Sequence, residues 1–330
     1  MKRDTIQFAN FICKFGDKPL VSFLEEIVLP AFTDDTLVRE ISDSTNFHLY
    51  DVKLDRLEDG LHVIYGRFIK NTTLSREQLF DRRGGIVHDY AELETSPSSF
   101  FILIVDNHRL IYQPETVAAP SIDTFRATIA KFIKLKYEVF FEKTYRLSKE
   151  YDRSVTRKIL AEKIAKPRIN IIPLSDPSGL EAFLRRYSKL KHLSFKIIET
   201  NDDDDASQIF EDMRAAGMRL ESQNTEFSHR SRDGLNVDEA IDLATEATAH
   251  GYQHLKTNGL DNDGNNLSGD NENFALKQHV PDPPNDLAER TRLFVAYFVN
   301  LVKDKIIKTG ESDNNSEHSY SKLFQDEDRK

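Results

Sequence analysis

The sequence predicts an α+β protein in which mixed or antiparallel sheets are flanked by helices in two subdomains. Three observations predict this class. Strand-like segments flank two tight turns in the first third of the chain, apolar residues recur at helical spacing over 122–150, and strand-like and helix-like segments alternate after residue 169. A chain of 330 residues with 39% apolar residues is long enough to bury a core of that size.

The first third of the chain reads as strands around one short helix. A strand is predicted at Thr5–Phe15, followed by a helix near 19–28 that begins after Asp17 and ends at Pro30. Residues 46–57 and 61–70 alternate around the turn Asp59-Gly60 and predict an antiparallel hairpin.

A second hairpin is predicted at 100–105 and 109–113. Its first strand, FFILIV, is apolar at every position, so both of its faces should be covered. We therefore expect a central strand with helices packed above and below it.

Helices and strands alternate through the rest of the chain. Amphipathic helices are predicted at 122–150, 154–165, 177–187, 237–250 and 286–308, and strands at 169–174 and 193–200. The expected units are an N-terminal strand-rich subdomain that ends in basic helices (1–168), a C-terminal α/β subdomain with the final amphipathic helix (169–308), and a disordered tail (309–330).

The stretch GLDNDGNNLSGDNE has part of the ligand spacing of a calcium loop. Asp261, Asp263, Asn265 and Glu272 stand at its first, third, fifth and twelfth positions. The sixth position, usually glycine, is Asn266, and the flanking residues alternate like strands instead of helices. The sequence therefore predicts a solvated hairpin tip, with no metal site.

Charge is distributed unevenly along the chain. Residues 1–125 carry 13 Lys/Arg and 20 Asp/Glu, residues 126–198 carry 18 and 7, and residues 199–330 carry 14 and 28. A basic middle segment between acidic flanks suggests an anionic partner. The alternative is that these cations face solvent or neutralise the acidic flanks within the fold.

The candidate nucleic-acid-binding residues are the cations that recur on the predicted helices and at their ends. Arg153 and Arg157, four apart, and Arg186 and Lys189, three apart, could each share a helical face. Phosphate contacts need cations without a fixed pattern, and no interleaved aromatic platform for single-stranded bases is present, so the expected partner is duplex DNA. The full candidate set is Lys131, Lys134, Lys136, Arg153, Arg157, Lys158, Lys163, Lys166, Arg168, Arg185, Arg186, Lys189 and Lys191.

The sequence gives few indications of catalysis or of cofactor binding. No Walker loop, GxGxxG, HExxH or GxSxG motif occurs, and the sequence predicts neither catalytic residues nor a cofactor. Arg82 and Arg83, before Gly84-Gly85, could contact a phosphate, although an ordinary exposed loop is the favoured interpretation. The single cysteine, Cys13, is expected in the core, and the lack of a signal sequence or long apolar run favours a cytoplasmic protein without membrane insertion.

Three blocks of the sequence carry a resemblance to a known family. They are SSFFILIVDNHRLIYQPE, DPSGLEAFLRRYSKLKHLSFKIIETNDDD and DGLNVDEAIDLATEATAHGYQHLKTNGLDNDGNNLS. Over roughly residues 5–300 the chain resembles a domain-of-unknown-function family of bacterial and prophage proteins found among phage-defence genes. The layout is more distantly similar to that of the Rex exclusion protein, RexA, a resemblance that implies a dimeric, DNA-binding sensor of abortive infection.

These observations together predict a non-enzymatic phage-defence protein. It would bind duplex DNA through the basic middle segment, act as a homodimeric sensor or trigger, and work with a separate effector. Two alternatives remain open at this point: a metal-dependent nuclease or other toxic hydrolase whose acids converge in the fold, and an acidic interaction or inhibitor module that mimics nucleic acid.

Overall fold

A computed structural model describes residues 4–198, 208–220, 222, 224–248, 251 and 253–308 of the chain. The predicted disordered tail, 309–330, lies outside the described residues. The strands are β1 (Thr5–Phe15), β2 (Lys18–Pro19), β3 (Arg39–Ser42), β4 (Thr45–Arg56), β5 (His62–Asp81), β6 (Gly85–Thr95), β7 (Ser98–Ile104), β8 (Arg109–Pro114), β9 (Pro167–Pro173), β10 (Tyr187–Ile197), β11 (Thr225–Arg230), β12 (Gln253–Asp261), β13 (Asn266–Asp270) and β14 (Lys277–His279). The helices are α1 (Leu29–Thr33), α2 (Ile122–Tyr151), α3 (Arg157–Lys163), α4 (Pro177–Leu184), α5 (Gln208–Arg219), α6 (Val237–Thr248) and α7 (Leu287–Lys303).

The described strands form two antiparallel sheets, as expected for the predicted α+β class. The large sheet has the order β14-β1-β8-β7-β5-β4-β3, with β2 and β9 also paired to β1 and β6 paired to β5. The small sheet has the order β11-β10-β12-β13. Residues from both sides of position 169 contribute to the large sheet, because β9 and β14 pair with β1.

Strand β7 confirms the prediction of a central strand covered on both faces. It lies between β5 and β8, and its alternate residues enter different cores. Phe101 and Leu103 face the core built with α2, whereas Phe100 and Ile102 face the core built with α7. The unbroken apolar run follows from this geometry, since successive side chains of a strand point to opposite faces.

Helix α2 covers one face of the large sheet, and its aromatic packing is dense. Phe125 is fully buried, and its ring centroid lies 4.9 Å from that of Phe101, 5.4 Å from Phe68, 5.5 Å from Tyr112 and 6.5 Å from Phe32. Ser121 caps the helix by accepting a hydrogen bond from the amide of Thr124. The first half of α2 is therefore anchored to the sheet.

The small sheet has its own core. Residues of α4, α5 and α6 pack on one face of β10 and β12, around Phe195, Leu190 and Leu255. The β12–β13 pairing confirms the predicted C-terminal hairpin, whose tip is closed by Asp261: its Oδ1 atom accepts hydrogen bonds from the amides of Asp263 and Asn265, both at 2.9 Å.

Three predictions of local structure were wrong. The helix near 19–28 does not end at Pro30. Instead, a 3₁₀ turn (Leu20–Phe23) and a π-helical turn (Leu24–Val28) lead into α1, which contains Pro30 in its first turn. Proline fits there because the amides of a first turn need no intrahelical partner. The helix expected at 154–165 begins only at Arg157, capped by Thr156. Residues 71–95, for which no strand was predicted, complete β5 and form β6.

We predict that Phe125→Ala lowers the free energy of unfolding by about 3–5 kcal/mol, because it removes a fully buried ring from four aromatic contacts. Urea denaturation followed by circular dichroism measures the change. The matched control on the same helix is Val139→Ala, which is 69% exposed and should change the stability by less than about 0.5 kcal/mol. A loss below about 1 kcal/mol for Phe125→Ala would contradict the anchoring role of this ring.

Candidate nucleic-acid interface

Helix α2 extends beyond the sheet that anchors it. Its 30 residues span about 45 Å at the helical rise of 1.5 Å per residue. The buried positions end at Tyr137, and farther along Val139 and Tyr151 are 69% and 93% exposed. The second half of α2 therefore projects from the body of the protein.

Helix α3 packs back against this projecting half. Leu160 and Ile164 are buried, and the Tyr137 hydroxyl donates a hydrogen bond to the Ile164 carbonyl at 3.0 Å. The Arg157 guanidinium binds both carboxylate oxygens of Glu142, at 2.8 and 2.9 Å, and lies 4.8 Å from the Tyr145 ring centroid. Such a two-point arginine contact orients the two helices as well as joining them. We call residues 131–166 the helical hairpin.

The helical hairpin concentrates positive charge. It contains 11 Lys/Arg and five Asp/Glu, and one of the five, Glu142, is occupied by Arg157. Lys131 and Lys134 are exposed on α2 in the two helical turns before Tyr137. The predicted residues of the helical hairpin that are exposed to solvent, apart from Arg157, are Lys131, Lys134, Arg153, Lys158, Lys163 and Lys166.

Two lysines from the start of the chain lie at the base of the helical hairpin. The Lys18 ammonium donates a hydrogen bond to the Lys163 carbonyl at 2.9 Å, and Lys14 on β1 is directly opposite Arg168 on β9. Neither Lys14 nor Lys18 was predicted, because both belong to a segment whose average charge is negative.

Three of the predicted cations form ion pairs with carboxylates of the same chain. Lys136 forms an ion pair with Asp34, and Arg157 holds α3 on α2 as described above. Arg185 bridges Glu181 at 2.8 Å and Asp238 at 3.0 Å, which joins α4 to α6. For these residues the alternative interpretation, that cations neutralise acids within the fold, is the better one.

The remaining predicted cations lie on the small-sheet part of the fold. Arg186 follows α4, and Lys189 and Lys191 are on β10. Lys191 lines a surface depression of about 560 Å³ with Arg230 and Arg232, two arginines that were missed because they come from the acidic C-terminal segment. Burial, with the nearby charge of Arg230, lowers the pKa of His192, which lines the same depression. The positive charge of this depression at neutral pH therefore comes from its lysine and arginines.

Two expected helical pairs are not present. Arg153 lies in the turn between α2 and α3, whereas Arg157 is the first residue of α3. Arg186 lies in the turn after α4, and Lys189 is in a strand. The first of these helices begins later, and the second ends earlier, than its sequence pattern indicated. The candidate set is therefore divided between the helical hairpin, Arg168 on β9 and the small-sheet part of the fold.

The part of the chain that the structure describes has neither a metal-binding cluster nor a membrane-spanning helix. No group of three or more histidine, cysteine, aspartate and glutamate side chains in this part of the chain is arranged to hold a metal ion. None of the helices found there is long and apolar enough to cross a membrane.

A comparison with known families gives a match that covers most of the chain. The model of a domain of unknown function, DUF4747, matches residues 34–299. The chain belongs to the DUF4747 family. The DUF4747 match contains the whole helical hairpin and the small sheet but begins after β1 and β2, which supply Lys14 and Lys18. No curated protein matches the chain.

The ion pair of Lys136 gives a pH-dependent prediction. Hydrogen bonds from Lys136, and then from Thr36, lower the pKa of Asp34 from its ordinary value of 3.8 to about 2. Because the folded-state pKa is the lower one, this interaction stabilises the fold above about pH 4 and is lost as the pH falls toward 2. Lys136→Gln should cost about 0.5–1 kcal/mol at pH 7, and this cost should shrink at pH 3.

Urea denaturation of wild type and variant at both pH values measures that difference. Lys134→Gln, two positions away and exposed, is the control and should be neutral at either pH. A Lys136→Gln penalty that is the same at pH 7 and pH 3 would contradict the assignment of Asp34 as its partner.

Proposed function

We propose that this protein binds duplex nucleic acid through backbone phosphates contacted by the helical hairpin. The observation that carries the proposal is a projecting pair of helices with 11 cations and five acids, six of the predicted cations being exposed in addition to the structural Arg157. Lys14, Lys18 and Arg168 extend the same positive region onto the adjoining edge of the large sheet. A surface of this kind attracts the phosphate backbone without reading bases.

The aromatic residues of the helical hairpin favour a duplex over a single strand. Tyr137 is buried, and Phe140, Phe141 and Tyr145 pack against the core or beneath Arg157. Single-strand binding draws much of its energy from bases stacked on exposed rings. Among the aromatic residues of the helical hairpin only Tyr151 is largely exposed, and one exposed ring is too few to form a stacking platform.

The biological setting we propose is phage defence, with the protein acting as a homodimeric sensor or trigger that works with a separate effector. This part of the proposal rests on the resemblance of the chain to proteins encoded among phage-defence genes and, more distantly, to the Rex exclusion protein. Membership of the DUF4747 family is compatible with it and assigns no activity.

Fluorescence anisotropy of a labelled duplex, titrated at several salt concentrations, tests the binding proposal. With about six phosphate contacts, the logarithm of the binding constant should fall against the logarithm of salt with a slope of about −5. The variant Lys131→Gln/Lys134→Gln/Lys158→Gln/Lys163→Gln should weaken binding more than about tenfold at low salt. It should also reduce the slope by about one for each lysine removed.

The matched control removes the same amount of charge from the small-sheet surface: Arg185→Gln/Arg186→Gln/Lys189→Gln/Lys191→Gln should change affinity less than about threefold. No binding at the lowest salt, or an equal loss for both variants, overturns the proposal.

Cleavage of the duplex with magnesium or manganese that stops on chelation would instead support a nuclease. Capture of a protein from infected cells that survives nuclease treatment, without duplex binding, would support an interaction module.

A further inference from the structure

The depression of about 560 Å³ on the small sheet lies on the face that is turned away from α4, α5 and α6. On β10, Leu193 enters the core that these helices cover, so its neighbour His192 faces the other way. His192 is directly opposite Arg230 on β11 and Asn258 on β12. These three side chains therefore form a row across three adjacent strands, and all of them line the depression.

A β-bulge adds Lys191 to this row. The pairing of β10 with β12 shifts register between Leu190 and His192, so Lys191 is an extra residue between them. Consecutive residues of a regular strand point to opposite faces, whereas Lys191 and His192 both line the depression. Bulges re-aim side chains in this way and are over-represented next to active sites.

The turn after β11 brings a third cation, Arg232, to the depression. The Ser231 amide donates a hydrogen bond to the Lys191 carbonyl at 3.0 Å, and the Ser231 hydroxyl accepts one from the Asp233 amide at 3.2 Å. Gly234 then adopts a φ of +108°, which residues with a side chain rarely adopt. We call the residues that line this site the basic depression: Lys191, His192, Arg230, Ser231, Arg232 and Asn258.

The cations of the basic depression have no carboxylate partner in the described part of the chain. Lys191, Arg230 and Arg232 form no ion pair there, in contrast to Arg185, which is held by two carboxylates. The Nε2 atom of His192 is buried and has no hydrogen-bond partner among the described residues. Buried polar atoms are normally hydrogen-bonded, so a polar ligand in the basic depression would account for this one.

The residue types of the basic depression fit a phosphate group attached to a hydroxyl-bearing molecule. Arginine forks make paired hydrogen bonds to phosphate oxygens, and a lysine adds a point charge. The hydroxyl of Ser231 and the amide of Asn258, which a 2.9 Å hydrogen bond joins to the Ser268 hydroxyl, can bond hydroxyl groups. No phenylalanine, tyrosine or tryptophan is among the described residues that line the site, so a nucleobase has no ring to stack on.

We propose that the basic depression binds a small phosphate ester that carries hydroxyl groups, such as a sugar phosphate. Lys191, Arg230 and Arg232 bind the phosphate, and His192 and Asn258 bind the hydroxyl-bearing part. The volume lies within the range of about 300–1,000 Å³ that is typical of small-molecule sites. This site goes beyond the proposed function and is independent of duplex binding by the helical hairpin.

The charge farther along the same face favours a small ligand over a duplex. Glu226 is opposite Lys196, and Lys256 is opposite Asp270, so each lysine there has an acid on the neighbouring strand. The positive region therefore ends with the basic depression on that side. A duplex backbone presents a continuous line of phosphates and needs a longer positive surface, such as that of the helical hairpin.

Isothermal titration calorimetry of the full-length protein tests the proposal, with ribose 5-phosphate and ribose as probes and without nucleic acid. Ribose 5-phosphate should bind, and ribose should not bind in the same concentration range, because the cations supply most of the affinity. Arg230→Gln/Arg232→Gln should weaken the binding of ribose 5-phosphate by more than about tenfold. The matched control, Arg56→Gln/Arg292→Gln, removes the same charge at two exposed positions elsewhere and should change the affinity by less than about twofold.

A second variant examines the hydroxyl-binding part of the site. Asn258→Ala removes one neutral hydrogen-bonding group, so it should weaken the binding of ribose 5-phosphate by about threefold to tenfold and leave the binding of inorganic phosphate unchanged. An equal loss for the two probes overturns the assignment of a hydroxyl-bearing ester. Circular dichroism spectra that match the wild type confirm that the variants are folded.

No binding of ribose 5-phosphate at millimolar concentration, or an equal loss for the two arginine pairs, overturns the proposal. If a duplex displaces ribose 5-phosphate, and Arg230→Gln/Arg232→Gln weakens duplex binding as much as the lysine variant of the helical hairpin does, the basic depression is part of the nucleic-acid interface and the proposal is likewise overturned. The anisotropy titrations of the duplex use different variants, so a failure here leaves the proposed function unaffected.

Discussion

The packing of α2 on the large sheet determines where the cations of this protein lie. Phe125 sits at the centre of that packing, within ring contact of residues from α1, β5, β7 and β8. These elements come from well-separated parts of the chain, so the ring contacts fix the helix axis relative to the sheet as a whole. Because α2 is one continuous helix, the position of its axis also determines where the residues farther along it lie.

The projecting surface exists because α2 is longer than the face of the large sheet that it covers. The sheet buries α2 only as far as Tyr137, and the remaining turns need other partners for Phe140, Phe141 and Tyr145. The 3₁₀ turn supplies one through Phe23, whose ring lies 6.0 Å from that of Phe140. The ring of Phe141 packs 5.6 Å from that of Tyr137, and α3 supplies the Arg157 guanidinium 4.8 Å from the Tyr145 ring. Once these apolar positions are covered, the charged positions of both helices must face solvent, where their lysines and arginines can reach a polyanion.

Local patterns explain why much of the fold was predictable. The β4–β5 and β7–β8 hairpins, the central position of β7, and the extent of α2 each follow from alternation, turn residues or helical periodicity within a short window. The segment 73–95, which completes β5 and forms β6, had a comparable signal, since LSREQLF and GIVHDYAEL flank a turn that contains two glycines. It was missed because its apolar residues do not face a core within this chain.

The composition of the candidate interface was only partly predictable. A basic middle segment is visible in the charge count, yet Lys14 and Lys18 join it through the pairing of β1 with β9, a contact between residues about 150 positions apart. Arg230 and Arg232 reach Lys191 in the same non-local way. The engagement of Lys136, Arg157 and Arg185 by internal carboxylates could not be read from spacing either, because strand register and helix ends decide which charges meet.

Lysine footprinting by acylation and mass spectrometry, with and without a duplex, tests the central claim most directly. Binding through the helical hairpin predicts protection of Lys18, Lys131, Lys134, Lys158, Lys163 and Lys166, with Lys136 unchanged because its ammonium is already paired with Asp34. Protection confined to Lys189 and Lys191, or no protection under conditions where the duplex is bound, would contradict the account.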